Sequence, residues 1–186
     1  SLKDPGNKSI VEYLKARGIS GETAKNFKIG FADFNQTKLL AELKDKFSDK
    51  EILEAGIFLK NEKGFYPFQR NRVVFPIQNS SGKIIGFGGR VIDDSQPKYL
   101  NSKDSKFFNK TRELYGFNNA KKDQKTDDFI VTEGYMDVVM LSEHGVNNAV
   151  ASLGTAFSQN HMNAMFKMRR KITFCFDSDE AGLKAA

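Results

Sequence analysis

The spacing of apolar positions changes character twice along the chain. In the first third, Ile10, Val11 and Leu14 share one stripe at helical spacing, and Gly18 stands where a left-handed residue would end that helix. Gly21-Glu22-Thr23-Ala24 opens a second helix and Leu39, Leu40 and Leu43 mark a third. Ser48-Asp49-Lys50-Glu51 reads as a capping box for a fourth that stops at Gly56. From residue 57 to 92 the period shortens. Ile57-Phe58-Leu59, Val73-Val74-Phe75-Pro76-Ile77 and Ile84-Ile85-Gly86-Phe87, set apart by turn residues at 61–64 and 79–82, predict one short antiparallel sheet. Gly86-Phe87-Gly88-Gly89 lacks the Lys-Ser/Thr of a phosphate loop and reads as a bulged strand. Residues 93–110 show little periodicity and are expected to form an ordered loop, followed by a helix over 112–120.

From residue 129 the chain alternates regularly. Strands Phe129-Ile130-Val131, Asn148-Ala149-Val150-Ala151 and Ile172-Thr173-Phe174-Cys175-Phe176 are separated by helical patterns over 136–144 and 158–168. Such a βαβαβ unit implies a parallel sheet with right-handed crossovers and a site outside the carboxyl ends of its strands. The polar run 121–128 is the expected boundary. The fold class is therefore mixed α/β, with a small helical and antiparallel-β unit over 1–120 and a parallel unit over 121–186.

A chain of 186 residues can bury a sizeable core. Its longest apolar runs are only of strand length, which excludes a membrane-spanning helix, and no charged-then-apolar leader suggests secretion. The single cysteine, Cys175, cannot form an internal disulfide or a multi-cysteine zinc site. It is expected to be a small buried residue in a reducing, cytoplasmic setting. The net charge of +6 is unevenly spread. Residues 60–112 carry 11 basic and 4 acidic groups, whereas 113–186 carry 8 and 10. A basic middle third beside an acidic last third suggests a polyanion-binding face next to an acidic module.

Two acidic motifs stand at predicted strand ends: Glu133-Gly134-Tyr135-Met136-Asp137 and Asp177-Ser178-Asp179. On an extended segment Asp177 and Asp179 point the same way, and Asp137 lies about one helical turn beyond Glu133. Like charges about 4 Å apart repel by about 4 kcal/mol at an effective dielectric near 20, so converging carboxylates need protons or cations. Oxygen-only ligands select Mg²⁺ or Mn²⁺. Taken singly, Asp179 could cap a helix, Glu133 could favour a helix start and Asp137 could be a solvated charge. A phosphotransfer receiver also has acids at strand ends, but it needs an acidic pair after its first strand, where this chain has Glu-Gly.

The basic segment interleaves Arg70, Arg72, Lys83, Arg90, Lys98, Lys103, Lys106, Lys110 and Arg112 with Phe68, Phe75, Phe87, Tyr99, Phe107 and Phe108. The cations could follow phosphates while exposed rings stack on bases. Most of these phenylalanines are expected in the core, with Tyr99 and one of Phe107 or Phe108 left to stack. Ser152, Gly154 and Thr155 read either as a helix entry facing phosphate or as ordinary turn chemistry. His144 and His161 read as structural or surface residues.

Together these residues resemble a known family. Glu133 to Asp137, then Ala151-Ser152-Leu153-Gly154-Thr155, then Asp177-x-Asp179-x-Ala181-Gly182, look like the Toprim domain of bacterial DnaG-type DNA primases. Residues 72–77, 85–90, Pro97-Lys98-Tyr99-Leu100-Asn101-Ser102 and Leu114-Tyr115-Gly116 look like the basic subdomain that precedes it. The resemblance implies DNA-templated synthesis of short RNA primers on single-stranded DNA from ribonucleoside triphosphates, with Mg²⁺ or Mn²⁺. It implies that Asp177, Asp179 and Glu133 hold metal, Glu133 alternatively serving as general acid or base, with Asp137 supporting the cluster. It also implies that Arg70, Arg72, Arg90, Lys98, Tyr99, Asn101 and Lys110 contact nucleic acid or nucleotide. No Cys/His zinc pattern is seen, so zinc is not expected. A replicative helicase is expected to bind only through a C-terminal domain beyond this sequence. The family places further acids after a strand following Asp179, so this stretch alone is expected to be weakly active or inactive. The alternative readings are a non-catalytic single-stranded DNA-binding module and another Toprim enzyme, a topoisomerase or nuclease.

Overall fold

The computed structural model describes residue 2 and residues 4–177. Four helices dominate the first third: α1 (Lys8–Ala16), α2 (Gly21–Asn26), α3 (Thr37–Lys44) and α4 (Asp49–Glu54). Their ends follow the signals in the sequence. Gly18 and Gly56 take left-handed φ values of 77° and 68° just beyond α1 and α4, and Ser48 and Glu51 form the reciprocal capping box of α4.

The β-rich middle comprises β1 (Gly30–Ala32), β2 (Phe58–Asn61), β3 (Gly64–Pro67), β4 (Arg72–Gln78), β5 (Ile84–Val91) and β6 (Tyr99–Asn101). These build two sheets where the sequence predicts one: a four-stranded antiparallel sheet in the order β1-β4-β5-β6 and a separate β2-β3 hairpin. β1 is too short to show alternation, and β6 lies within the stretch expected to be loop. β5 carries the expected irregularity beside its glycines, because Ile77 pairs with Gly86 and Gln78 with Ile84, leaving Ile85 as the extra residue.

A short α5 (Phe117–Ala120) leads to β7 (Asp128–Thr132), α6 (Tyr135–Glu143), β8 (Ala149–Ala151), α7 (Gln159–Phe166) and β9 (Lys171–Phe174). The three strands form a parallel sheet in the order β8-β7-β9, as the alternation predicts. The helix expected over 112–120 is confined to its last four residues. Upstream, Tyr115 exchanges backbone hydrogen bonds with Ala151 at 2.9 and 3.1 Å, and Gly116 has a φ of 79° that no α-helix accommodates.

Side-chain alternation along the parallel strands divides the core. Ala149 and Ala151 face a cluster shared with Ile10, Leu14, Phe27, Phe75, Tyr115 and Tyr135, so the helical cap, the antiparallel sheet and α6 pack as one body. Val150 faces the other side, with Phe129, Val131 and Met165. The polar run 121–128 is tied down by Arg169. Its guanidinium donates to the carbonyls of Ala120, Asp123, Thr126 and Asp128 and lies 4.6 Å from the Phe129 ring centroid. Cys175 departs from expectation. It follows the end of β9, which pairs on one side only among the described residues, and its thiol is exposed rather than buried. Among the described residues no helix is long and apolar enough to cross a membrane.

Candidate active site and nucleic-acid face

β7 and β9 run side by side with Val131 opposite Phe174, so their carboxyl ends emerge together. Beyond the ladder, Cys175 N–H still donates to the Val131 carbonyl at 2.8 Å, and Asp177 N–H donates to Glu133 Oε1 at 2.8 Å. Glu133 is thereby fixed against the end of the neighbouring strand. The next residue, Gly134, starts α6, and its N–H donates to Asp137 Oδ2 at 2.9 Å. That bond turns Asp137 back toward the strand ends. Asp137 is open to solvent on one side, yet desolvation by the packing behind it raises its pKa above the usual aspartate value. The Gly134 bond opposes that rise, and the charges of Asp177 and Glu133 add to it.

Glu133, Asp137 and Asp177 therefore meet on one edge. Asp179, the fourth predicted acid, lies outside the described residues. Among the described residues no three acidic, histidine or cysteine side chains close on a single point as a metal cage. The donor chemistry nevertheless fits a hard divalent cation: the side-chain donors are oxygens, the charges are mutually repulsive, and a positive ion between them would relieve that repulsion, which adds to the desolvation that raises Asp137.

A raised native-state pKa means that the ionised form costs stability as pH rises through that value, and that the cost is absent below the unfolded-state value near 3.9. Asp137→Asn keeps an oxygen to accept from Gly134 and removes the charge. It should raise stability at neutral pH, by no more than about 0.5 kcal/mol because water screens the site. The gain should vanish near pH 3. Thermal melts of both proteins across pH check the sign.

The basic residues divide into two groups. Arg72 and Arg90 are buried, with relative exposures of 6% and 7%. Arg72 Nη1 donates to the Lys98 carbonyl at 3.3 Å, and burial lowers its pKa against the pull of Asp93. Arg90 Nε donates to the Tyr99 hydroxyl at 3.1 Å, and its guanidinium lies 5.6 Å from the ring centroids of both Tyr13 and Tyr99. These two guanidinium groups order Lys98 and Tyr99 at the start of β6. Arg70, Lys98 and Tyr99 are exposed, and Lys110 and Asn101 are partly exposed. Asn101 Nδ2 donates to the Leu153 carbonyl at 2.8 Å, joining β6 to the loop after β8. Phe107 is exposed while Phe108 is buried, and Phe75 is in the core. Ser152, Gly154 and Thr155 are not a helix entry, since α7 is capped by Ser158.

The basic face and the acidic edge meet through Tyr135. Its ring lies edge-on to Tyr99 at 6.0 Å and passes so close to β5 that a Cβ on Gly88 would sit 2.6 Å from Tyr135 Cζ. Glycine at 88 is what allows the strand to approach the first turn of α6. Tyr13, a partner of Arg90, is a contact that the sequence does not reveal. It sits on α1, and no sequence pattern relates a tyrosine on one helix to an arginine on a distant strand.

Comparison with known proteins supplies the family context. Residues 1–121 match the family model "DNA primase catalytic core, N-terminal domain" and residues 127–186 match a Toprim domain. A DNA primase of Pseudomonas putida is 48% identical over 186 residues, which is 98% of this chain and 28% of that protein. The DNA primase of Escherichia coli K12 is 40% identical over 189 residues, which is 100% of this chain and 32% of that protein. The chain thus spans under a third of the curated relatives described. Among solved structures, a DnaG primase catalytic domain bound to single-stranded DNA superposes with a TM-score of 0.92 at 40% identity, covering 100% of this chain and 59% of that one. A DNA primase domain from Pseudomonas aeruginosa gives 0.90 at 46% identity, covering 99% and 59%.

Proposed function

The chain belongs to the DNA primase catalytic-core family, and from that premise we propose that it serves template-directed synthesis of RNA primers on single-stranded DNA from ribonucleoside triphosphates. Residues 1–120 form the template-binding unit in this reading and 121–186 the Toprim unit. The observation that carries it is the meeting of Glu133, Asp137 and Asp177 by the carboxyl ends of adjacent parallel strands, with Tyr99 held against Tyr135 at that edge and Arg70, Lys98 and Tyr99 exposed to solvent. A related catalytic domain holds single-stranded DNA, and the exposed cations and ring supply the chemistry for the same partner here.

Asp177, Asp179 and Glu133 would hold Mg²⁺ or Mn²⁺, with Asp137 supporting the cluster and Glu133 alternatively serving as general acid or base. Bound there, the ion would supply charge neutralisation for the triphosphate and activation of the attacking 3′-oxygen. The remaining tasks fall to the chain. Asp177 N–H sets the Glu133 carboxylate, Gly134 N–H sets Asp137, and buried Arg72 and Arg90 hold Lys98 and Tyr99 where phosphate and base can reach them.

The direct test is RNA synthesis on a single-stranded template by the protein that carries this chain. Synthesis that needs ribonucleoside triphosphates and divalent cation supports the reading, and DNA binding without synthesis favours a binding module. The nucleic-acid face has its own check. Lys98→Ala should weaken binding to single strands of any sequence and reduce the slope of log K against log salt by about 0.7, the contribution of one phosphate contact. An unchanged slope would move the face elsewhere.

A further inference from the structure

We propose that His161 is a positioning residue for Lys110, clamping the basic segment onto the parallel-sheet half. The inference rests on reading Lys110 as a phosphate contact. Residues 102–114 lie outside the named helices and strands, so side chains must satisfy much of their backbone. For the carbonyls of Lys110 and Thr111 those side chains come from the Toprim half. His161 is fully buried. Its Nδ1 accepts from Ser158 N–H at 3.2 Å, which leaves the proton on Nε2, and Nε2 lies 3.1 Å from the Lys110 carbonyl to donate to it. Thr155 Oγ1 donates to the same carbonyl at 3.5 Å, and Ser158 Oγ donates to the Thr111 carbonyl at 2.5 Å. On the other side, Lys110 N–H donates to Asp104 Oδ1 at 3.1 Å.

A histidine that merely filled space would need neither nitrogen directed. Here one nitrogen completes the cap of α7 and the other reaches across the boundary between the two units. Burial pushes the ring pKa below its ordinary value, against the pull of the Lys110 and Glu113 carbonyls, so the neutral ring that this geometry requires is the stable form. The two jobs can be separated. An asparagine amide reaches the Nδ1 position and can accept from Ser158, whereas a glutamine amide reaches the Nε2 position and can donate to Lys110.

The experiment compares His161→Asn, His161→Gln, Lys110→Ala and the Asn/Ala double variant. Binding to a labelled homopyrimidine single strand is read by anisotropy, and amide exchange over residues 103–112 is read without DNA. His161→Asn should weaken binding about three- to tenfold, the range for one lost hydrogen bond, and should speed exchange in that segment while α7 stays protected. His161→Gln should remain within about twofold of the parent. The double variant should bind no worse than Lys110→Ala alone. Equal losses from Asn and Gln, or additive losses in the double variant, would overturn the proposal. If Lys110→Ala alone leaves binding unchanged, the reading of Lys110 fails and the positioning role falls with it. In that case the exchange data still report whether the clamp exists.

Discussion

Asp177→Ala in the protein that carries this chain should lower metal-dependent primer synthesis by about 100-fold or more and leave single-stranded DNA affinity within about twofold. The separation follows from where the residue stands. Asp177 meets Glu133 through its backbone N–H, and the Cys175 bond to Val131 is also backbone, so truncating the side chain leaves the strand end in place. What is lost is one of the carboxylates at an edge where charge must be held against a triphosphate. A carboxylate gives no attractive contact to a DNA phosphate, so affinity has no reason to fall. Initial rates measured against Mn²⁺ concentration, alongside oligonucleotide titrations, read both quantities. Rates equal to the parent's would remove Asp177 from the reaction. Glu133→Gln decides the role left open for Glu133, because glutamine can still accept from Asp177 N–H. A rightward shift of the Mn²⁺ curve marks a metal ligand, whereas a changed pH profile at saturating Mn²⁺ marks an acid or base.

The parallel half was legible in the sequence because its signals are local. Apolar strand runs, helical spacing and acids immediately after strands all lie within short windows, so β7, β8, β9 and the edge carrying Glu133 and Asp177 could be read directly. The antiparallel half was less legible because its strands take meaning from distant partners. Gly30-Phe31-Ala32 pairs with Val74, Val73 and Arg72, and nothing within three residues announces that. Charge misled in a similar way. Counting places Arg72 and Arg90 on a solvent-facing polyanion track, yet both guanidinium groups are buried on a carbonyl and on tyrosine rings, where a planar, weakly hydrated cation is at home. Lys98 beside them does face solvent, as the charge count implies. Cys175 failed for the opposite reason. Its alternation with two phenylalanines implies burial only if both faces and both edges of β9 are covered.

Gly116→Ala should destabilise the chain by about 2–5 kcal/mol, a large share of the 5–15 kcal/mol that holds a typical domain together. Two costs combine. At φ 79° a residue with a side chain incurs about 1–2 kcal/mol. The added Cβ would also lie 2.7 Å from Val138 Cγ1 and 3.0 Å from the Ala149 carbonyl oxygen, an overpacking cost of about 1–3 kcal/mol. Neither neighbour yields easily, since Val138 is buried in α6 and Ala149 is part of the β8 ladder. The position matters beyond its own contacts. Tyr115, the preceding residue, bridges to Ala151 and packs its ring against Phe27, Phe75 and Tyr135, so it joins the residue that ends α2 to β4 and α6 at once. Strain at Gly116 therefore acts on the junction through which the basic unit is joined to the Toprim unit. Urea unfolding followed by tyrosine fluorescence and by far-ultraviolet dichroism should show both signals moving together to lower urea. Adding Val138→Ala should recover about 1 kcal/mol relative to the sum of the single changes, because it removes the Val138 contact and leaves the Ala149 contact and the backbone part. A loss under about 1 kcal/mol for Gly116→Ala would mean that the turn relaxes freely and that the two units are not locked at this point.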